Sequence, residues 1–300
     1  MKARLEAWAA AFVSFLLRPL PRGAALALGR FLGRVVAALD PRHVAIAADN
    51  LHHAFPDWDA ARLDATARNV YAHFGGVLFD LLWLQGRSRD EILSLVEIHG
   101  REHVEAAIGA GKGVVYCAAH FGNFEINAIA HGWLFGPVSV VARPLDNPAL
   151  DARLCALRTA SGNTVIPKRK ALSSVVKAIR EGGGVAILLD QNVQAKDGIF
   201  VDFFGRPAAT TTVAAALALK TGCALIPCHF EMGADGRHRT YYEPPLTWTT
   251  TGSREGDIAL ITQELAHRTE AWIRGRPEQW LWIHRRWKTR PPPADGASPA

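Results

Sequence analysis

Cysteine is scarce and scattered in this 300-residue chain. The four cysteines are Cys117, Cys155, Cys223 and Cys228, and no two of them form a Cys-x-x-Cys pair. That spacing excludes a readable zinc cluster or disulfide framework. Three of the four sit in apolar stretches with strand character, where a thiol packs as a small hydrophobe. Such usage suits a reducing compartment such as the cytoplasm. The N-terminal hydrophobic run is short. Residues 7–17, AWAAAFVSFLL, stop at Arg18-Pro19, below the roughly 20 residues of a spanning helix. A span over residues 5–20 stays open only if the flanking arginine snorkels. No small-residue cleavage pattern follows, so a secretory signal is not indicated. No internal repeat and no Gly-x-Ser-x-Gly nucleophile elbow occur.

Hydrophobic residues make up 49% and charged residues 21%, enough for a core of ordinary size. The net charge of +6 calls for an anionic partner, nucleic acid or anionic lipid. The basic residues are scattered, with small clusters at Lys168-Arg169-Lys170 and Arg285-Arg286. There is no basic tail and no recognisable nucleic-acid module, so lipid is the expected partner and nucleic acid is not. Residues 24–39 form a second apolar segment, with Arg30 and Arg34 one turn apart and Phe31, Leu32, Val35 and Val36 around them. Residues 1–40 therefore read as a helical, membrane-associated segment lying in an interface. The alternative is a buried helix pair of a soluble enzyme.

Residues 41–290 read as the main domain and the Pro-rich 291–300 as a disordered tail. A helix starts at Pro41 and ends by Phe55-Pro56. Asp59 caps a second, with Leu63, Ala67, Val70, Phe74 and Leu78 at helical spacing, continuing through residue 84. Residues 90–96 suggest a short helix or turn. From residue 100 strands and helices alternate. Strands are expected at 114–118, 138–142, 164–166, 185–189 and 224–230. Helices are expected at 101–111, from about 124, and at 147–159, 171–180, 212–220 and 257–274. This order predicts an α/β fold with a largely parallel central sheet flanked by helices. Sites in such sheets gather at the carboxyl ends of strands, where His120 and Asp190 both fall.

A histidine of near-neutral pKa can take a proton from an alcohol attacking an ester or thioester. A carboxylate on its other ring nitrogen fixes the tautomer. In His120-Phe121-Gly122-Asn123-Phe124-Glu125 the histidine lies in a loop and Glu125 in the first turn of the next helix. Gly122 and Asn123 suit the tight bend that would bring the two together. Helix-start N–H groups could serve a developing oxyanion. No second histidine stands at ligand spacing near His120, so no metal is expected.

The segment VVYCAAHFGNFE resembles the His-x4-Asp/Glu block of the lysophospholipid acyltransferase superfamily, and more closely the bacterial lipid A biosynthesis acyltransferases. Arg143-Pro144, Asn147-Pro148, Arg158 and Gly162 resemble that family's second block, and Leu189-Asp190-Gln191-Asn192 its third. Phe203-Phe204-Gly205-Arg206-Pro207-Ala208 and the segment from Pro277 to Trp287 resemble its later signatures. The resemblance runs from about residue 5 to about 290.

It implies His120 as general base, with Glu125 orienting and charge-stabilising it. Arg158 and Arg143 would supply positive charge near the reacting centre, and Asp190 would hold Arg158 or a loop backbone. Gln191, Asn123, Phe204 and Gly205 would border the substrate. The donor would be an acyl thioester on acyl carrier protein or coenzyme A, with no other cofactor. The acceptor would be a membrane glycolipid, most simply a lipid A precursor, at the cytoplasmic face of the bacterial inner membrane. A phosphatidylinositol mannoside, a lysophospholipid, or a non-catalytic lipid-binding role are the alternatives. Read alone, the Trp- and Arg-rich stretch 278–287 suits a membrane-interface belt, a nucleic-acid stacking surface or a packed helix.

Overall fold

The computed structural model describes residues 2–167 and 171–292. The Lys168-Arg169-Lys170 cluster and residues 293–300 of the tail lie outside the described residues. Four helices come first: α1 (Lys2–Leu17), α2 (Arg22–Leu39), α3 (Pro41–Ala54) and α4 (Ala60–Leu84). Pro41 stands at the first position of α3, where its missing N–H costs nothing, and Asp40 caps that end through His43 N. Asp59 caps α4 by accepting from Arg62 N at 2.7 Å.

Among the described residues no helix is long and apolar enough to cross a membrane. Helix α2 packs along α4 at close range. A Cβ placed on Gly33 would come 2.2 Å from the Tyr71 carbonyl oxygen, so only glycine permits this approach. The outer faces of α1 and α2 remain apolar and exposed. Leu5, Trp8, Phe12 and Phe15 on α1, and Phe31, Val36 and Leu39 on α2, are all half or more accessible.

After α5 (Arg89–Leu93) the chain builds the sheet with β1 (Val96–His99), α6 (Arg101–Gly109), β2 (Val114–Ala118), α7 (Phe124–Phe135), β3 (Val138–Ala142), α8 (Pro148–Thr159), β4 (Thr164–Pro167), α9 (Ala171–Arg180) and β5 (Gly184–Leu188). A hairpin follows, β6 (Ile199–Phe203) and β7 (Arg206–Thr210), then α10 (Val213–Thr221), β8 (Ala224–Met232), β9 (His238–Tyr242) and α11 (Arg254–Gly275). The sheet order is β1-β9-β8-β2-β5-β3-β4, parallel throughout except where β8 meets β9. The α/β class with a mostly parallel sheet is as expected. Strands β1 and β9 and the β6–β7 hairpin were not foreseen.

Central strand β2 is buried at every residue, as its unbroken apolar run requires. Cys117, Cys223 and Cys228 pack in this core. The stretch 278–287 corrects the interface-belt reading. Trp280 and Trp282 are fully buried and pack with Phe203 and Phe204, so the aromatics belong to the core and not to a membrane surface. Their burial follows from the Phe121–Trp280 bridge, which ties the segment to the residue after His120.

Candidate active site

His120 and Asp190 meet because of strand register. In the parallel β2–β5 pair Ala118 stands opposite Leu188. Two residues further along each strand lie His120 and Asp190, both past the carboxyl ends. Asp190 Oδ1 lies 2.9 Å from His120 Nδ1, and Oδ2 accepts the His120 backbone N–H at 3.0 Å. Oδ2 also accepts the Trp280 indole N–H at 2.7 Å. A fully buried carboxylate is tolerated only when its lone pairs are filled in this way. Burial alone would raise the Asp190 pKa, but the His120 charge and these donors outweigh it and bring it to about 2. For His120, burial pulls the pKa down, while the Asp190 charge and hydrogen bond, with the Glu125 charge, prevail and raise it. With Nδ1 donating to Asp190, the free lone pair is on Nε2, and the side-chain nitrogen of Gln191 stands 3.3 Å from it.

The loop after His120 is held from several sides. Gly122 has φ +61°, and a Cβ there would fall 1.8 Å from the Phe230 carbonyl oxygen. Its N–H donates to the Gln279 carbonyl at 2.9 Å. Asn123 is fully buried and caps α7 by accepting from Ile126 N at 3.3 Å. Its amide also donates to Asp80 at 3.3 Å. Asp80 in turn is gripped by Arg22 at 2.7 and 2.9 Å and by His238 at 2.8 Å. Helix α2 is thereby joined to the active loop through one buried carboxylate.

Glu125 does not orient the His120 ring, although its charge does act on that ring. Its carboxylate is hydrogen-bonded to both Nε and Nη2 of Arg158, the Nε contact being 2.8 Å, and not to the His120 ring. The reason is geometric. Glu125 opens α7 and faces the last turn of α8, where Arg158 presents a fork matching a carboxylate. The ring of His120 is already bonded to a carboxylate from the neighbouring strand. Asp190 correspondingly holds the His120 ring and, as the second of its expected partners, the loop backbone at the His120 N–H, and not Arg158. The Glu125 charge still reaches His120 and raises its pKa.

A sequence pattern of the bacterial lipid A biosynthesis acyltransferases matches residues 2–289. The chain belongs to that family. It is similar to the lipid A biosynthesis lauroyltransferase of Escherichia coli K12, 28% identical over 288 residues, which is 95% of this chain and 92% of the relative. The lipid A biosynthesis palmitoleoyltransferase of the same organism is 26% identical over 288 residues, 95% of this chain and 91% of the relative. A phosphatidylinositol mannoside acyltransferase of Mycobacterium tuberculosis CDC 1551 is 31% identical over 197 residues, 63% of this chain and 59% of the relative. The protein is an acyltransferase.

Three remaining expectations for the acyltransferase site need correction or placement. Arg143 is exposed and pairs with exposed Asp146 at 2.9 Å, because the chain leaves β3 toward solvent there. Phe204 and Gly205 are the two-residue turn of the β6–β7 hairpin, with φ +57° and +73°. The Phe204 ring is buried beside Phe55 and Trp282, so it is core and not a substrate loop.

Two residues with a part in the site were missed as such. Trp280 bonds Asp190 directly. Arg286 is fully buried, donates to Ala209 O at 2.7 Å, and is attracted by the Asp190 charge while burial lowers its pKa to about 10. Both stand in the C-terminal signature, which ordered blocks could flag but whose packing they could not. The assembly can do one thing well: orient Nε2 toward a hydroxyl and stabilise the imidazolium that forms when it takes the proton.

Proposed function

We propose that the enzyme moves a fatty acyl chain from a thioester, on acyl carrier protein or coenzyme A, to a hydroxyl of a membrane glycolipid, a lipid A precursor being the first choice. His120 Nε2 takes the hydroxyl proton as the oxygen attacks the thioester carbonyl. The tetrahedral intermediate collapses to the ester, and the departing sulfur receives the proton from His120. Asp190 keeps the Nδ1–H tautomer in place. The Arg158 cation, set by Glu125, supplies positive charge for the developing oxyanion or an acceptor phosphate. The observation carrying this reading is the 2.9 Å contact of Asp190 with His120 Nδ1, which leaves Nε2 as the base.

The exposed apolar faces of α1 and α2 support binding to the cytoplasmic face of a bacterial inner membrane. Sedimentation with anionic vesicles tests that association. It should weaken in W8S/F12S/F15S, and binding equal to wild type would remove it. For the reaction, purified enzyme and His120→Ala are given acyl carrier protein thioester and lipid A precursor. Transfer by wild type and its near-complete loss in the variant are expected. Equal transfer by both would remove His120 from the mechanism. The similarity to phosphatidylinositol mannoside acyltransferases favours that acceptor as the second reading. A strain lacking the gene decides by lipid mass spectrometry: unchanged lipid A with loss of another acylated lipid selects the second.

A further inference from the structure

A concave groove of about 530 Å³ opens between α3 and the C-terminal segment. Its size falls among small-ligand sites, which span about 300–1,000 Å³. Arg206, Arg285, Lys288 and Arg290 line it, against the single carboxylate of Asp49. Among the described residues none of these four side chains has an ion-pair or hydrogen-bond partner. Arg22, Arg158 and Arg239, by contrast, are each held in an ion pair, with Asp80, Glu125 and Asp235. Four like charges around one cavity raise its positive potential, which favours a polyanionic ligand.

The groove is wired to the active site. Asn192, two residues past Asp190, exchanges hydrogen bonds with Thr289 at 3.0 and 3.1 Å, fixing the residue between Lys288 and Arg290. The Asn192 N–H donates to His284 Nε2 at 2.9 Å, and the His284 carbonyl accepts from Asn50 in the groove wall at 2.9 Å. Gln191, between Asp190 and Asn192, touches His120. The C-terminal wall of the groove is therefore tied by hydrogen bonds to the loop that follows Asp190.

We propose that this groove binds the phosphate groups of a substrate. The site rests on the acyl-transfer reading for its purpose, not for its existence. Three guanidinium forks match phosphate oxygens bidentately, and each phosphate carries more charge than a carboxylate. The charge of the lining is dominated by its four cations, with Ala45, Ile46 and Trp287 supplying apolar wall between them. The apolar exposed faces are on α1 and α2, so the cavity is distinct from the surface assigned to the bilayer. Two substrates could supply the phosphate: the carrier arm of the donor, or the head group of the acceptor.

Isothermal titration of the full-length protein distinguishes them. Coenzyme A serves as the donor probe, a bis-phosphorylated glucosamine disaccharide as the acceptor probe, and citrate as a non-phosphate anion. R285A/K288A is the variant, with R206A as a second in case the first folds poorly. At least one phosphorylated probe should bind one-to-one. Its affinity should fall about tenfold or more in the variants and with rising salt, with citrate much weaker. The probe that binds identifies the source. Failure of both probes, equal binding by both variants, or equal binding of citrate would overturn the proposal. Because the readout is binding, it separates from the catalytic reading. His120-independent transfer with intact probe binding sinks the reading and leaves the groove; the reverse sinks the groove alone.

Discussion

Asp190 reaches His120 twice: Oδ1 stands 2.9 Å from ring Nδ1, and Oδ2 accepts the backbone N–H at 3.0 Å. Ring and main chain are therefore fixed by one carboxylate, which Trp280 anchors from the other side at 2.7 Å. Rotation of the imidazole away from the substrate would break a charge-assisted bond in a buried site.

The Glu125–Arg158 pair is mostly buried, with 9% and 14% of the side chains accessible. Removing one partner strands the other charge. Glu125→Gln and Arg158→Met should each destabilise the fold by about 3 kcal/mol. The double variant should lose less than the sum of the two. A denaturant double-mutant cycle measures this, and strictly additive losses would show that the pair is not coupled.

Gly122 is needed twice over, for its positive φ and for its lack of a side chain. Gly182 has φ +81° but more room, since a Cβ there meets nothing closer than Gly111 O at 3.5 Å. Gly182→Ala should cost about 1 kcal/mol. Gly122→Ala should cost several times more, because the Phe230 strand must move as well. Denaturation midpoints of the two variants check the ranking, and equal midpoints would refute it.

Stability should fall early on the acid side. Burial lowers the pKa of His73 to about 4 and of His131 to about 3, and it also lowers that of His238. These rings are neutral in the fold and titrate at the ordinary value of 6.5 when unfolded. The unfolded chain binds protons first, so their contribution is complete above 6.5 and is lost as pH falls toward the folded values. His120 acts in the opposite sense, since its pKa is raised. With His284, whose pKa burial also lowers, four groups outweigh one. Urea midpoints should drop between pH 7 and pH 5, well above the carboxylate range, and a flat profile there would count against buried neutral histidines.

Much of this architecture is legible in the sequence, because β2, β3, β5 and β8 are apolar runs between glycine-stopped helices. Strand β1, Val96-Glu97-Ile98-His99, alternates apolar and polar residues over only four positions, too short a run to separate a strand from a turn. The β6–β7 turn places a phenylalanine at positive φ, where Asn-Gly would have announced a hairpin. The pairing of His120 was misassigned for a similar reason. Glu125 is five residues away along the chain, whereas Asp190 is 70 residues away and arrives only through the β2–β5 register. Trp280 and Trp282 show the same limit. Aromatics interleaved with cations look alike at a membrane interface and in a core, and only packing separates them.

The pH dependence of single-turnover acyl transfer by wild type and Asp190→Asn tests the central pairing most directly. His120 must be neutral to act as base, so activity rises as pH passes its folded pKa, which Asp190 holds above the ordinary histidine value. In the variant burial remains and the opposing charge is gone. The acid limb should move to lower pH, and the plateau rate should fall about 10²–10⁴-fold. An unmoved limb with an undiminished plateau would contradict the assignment of Asp190 as the partner of His120.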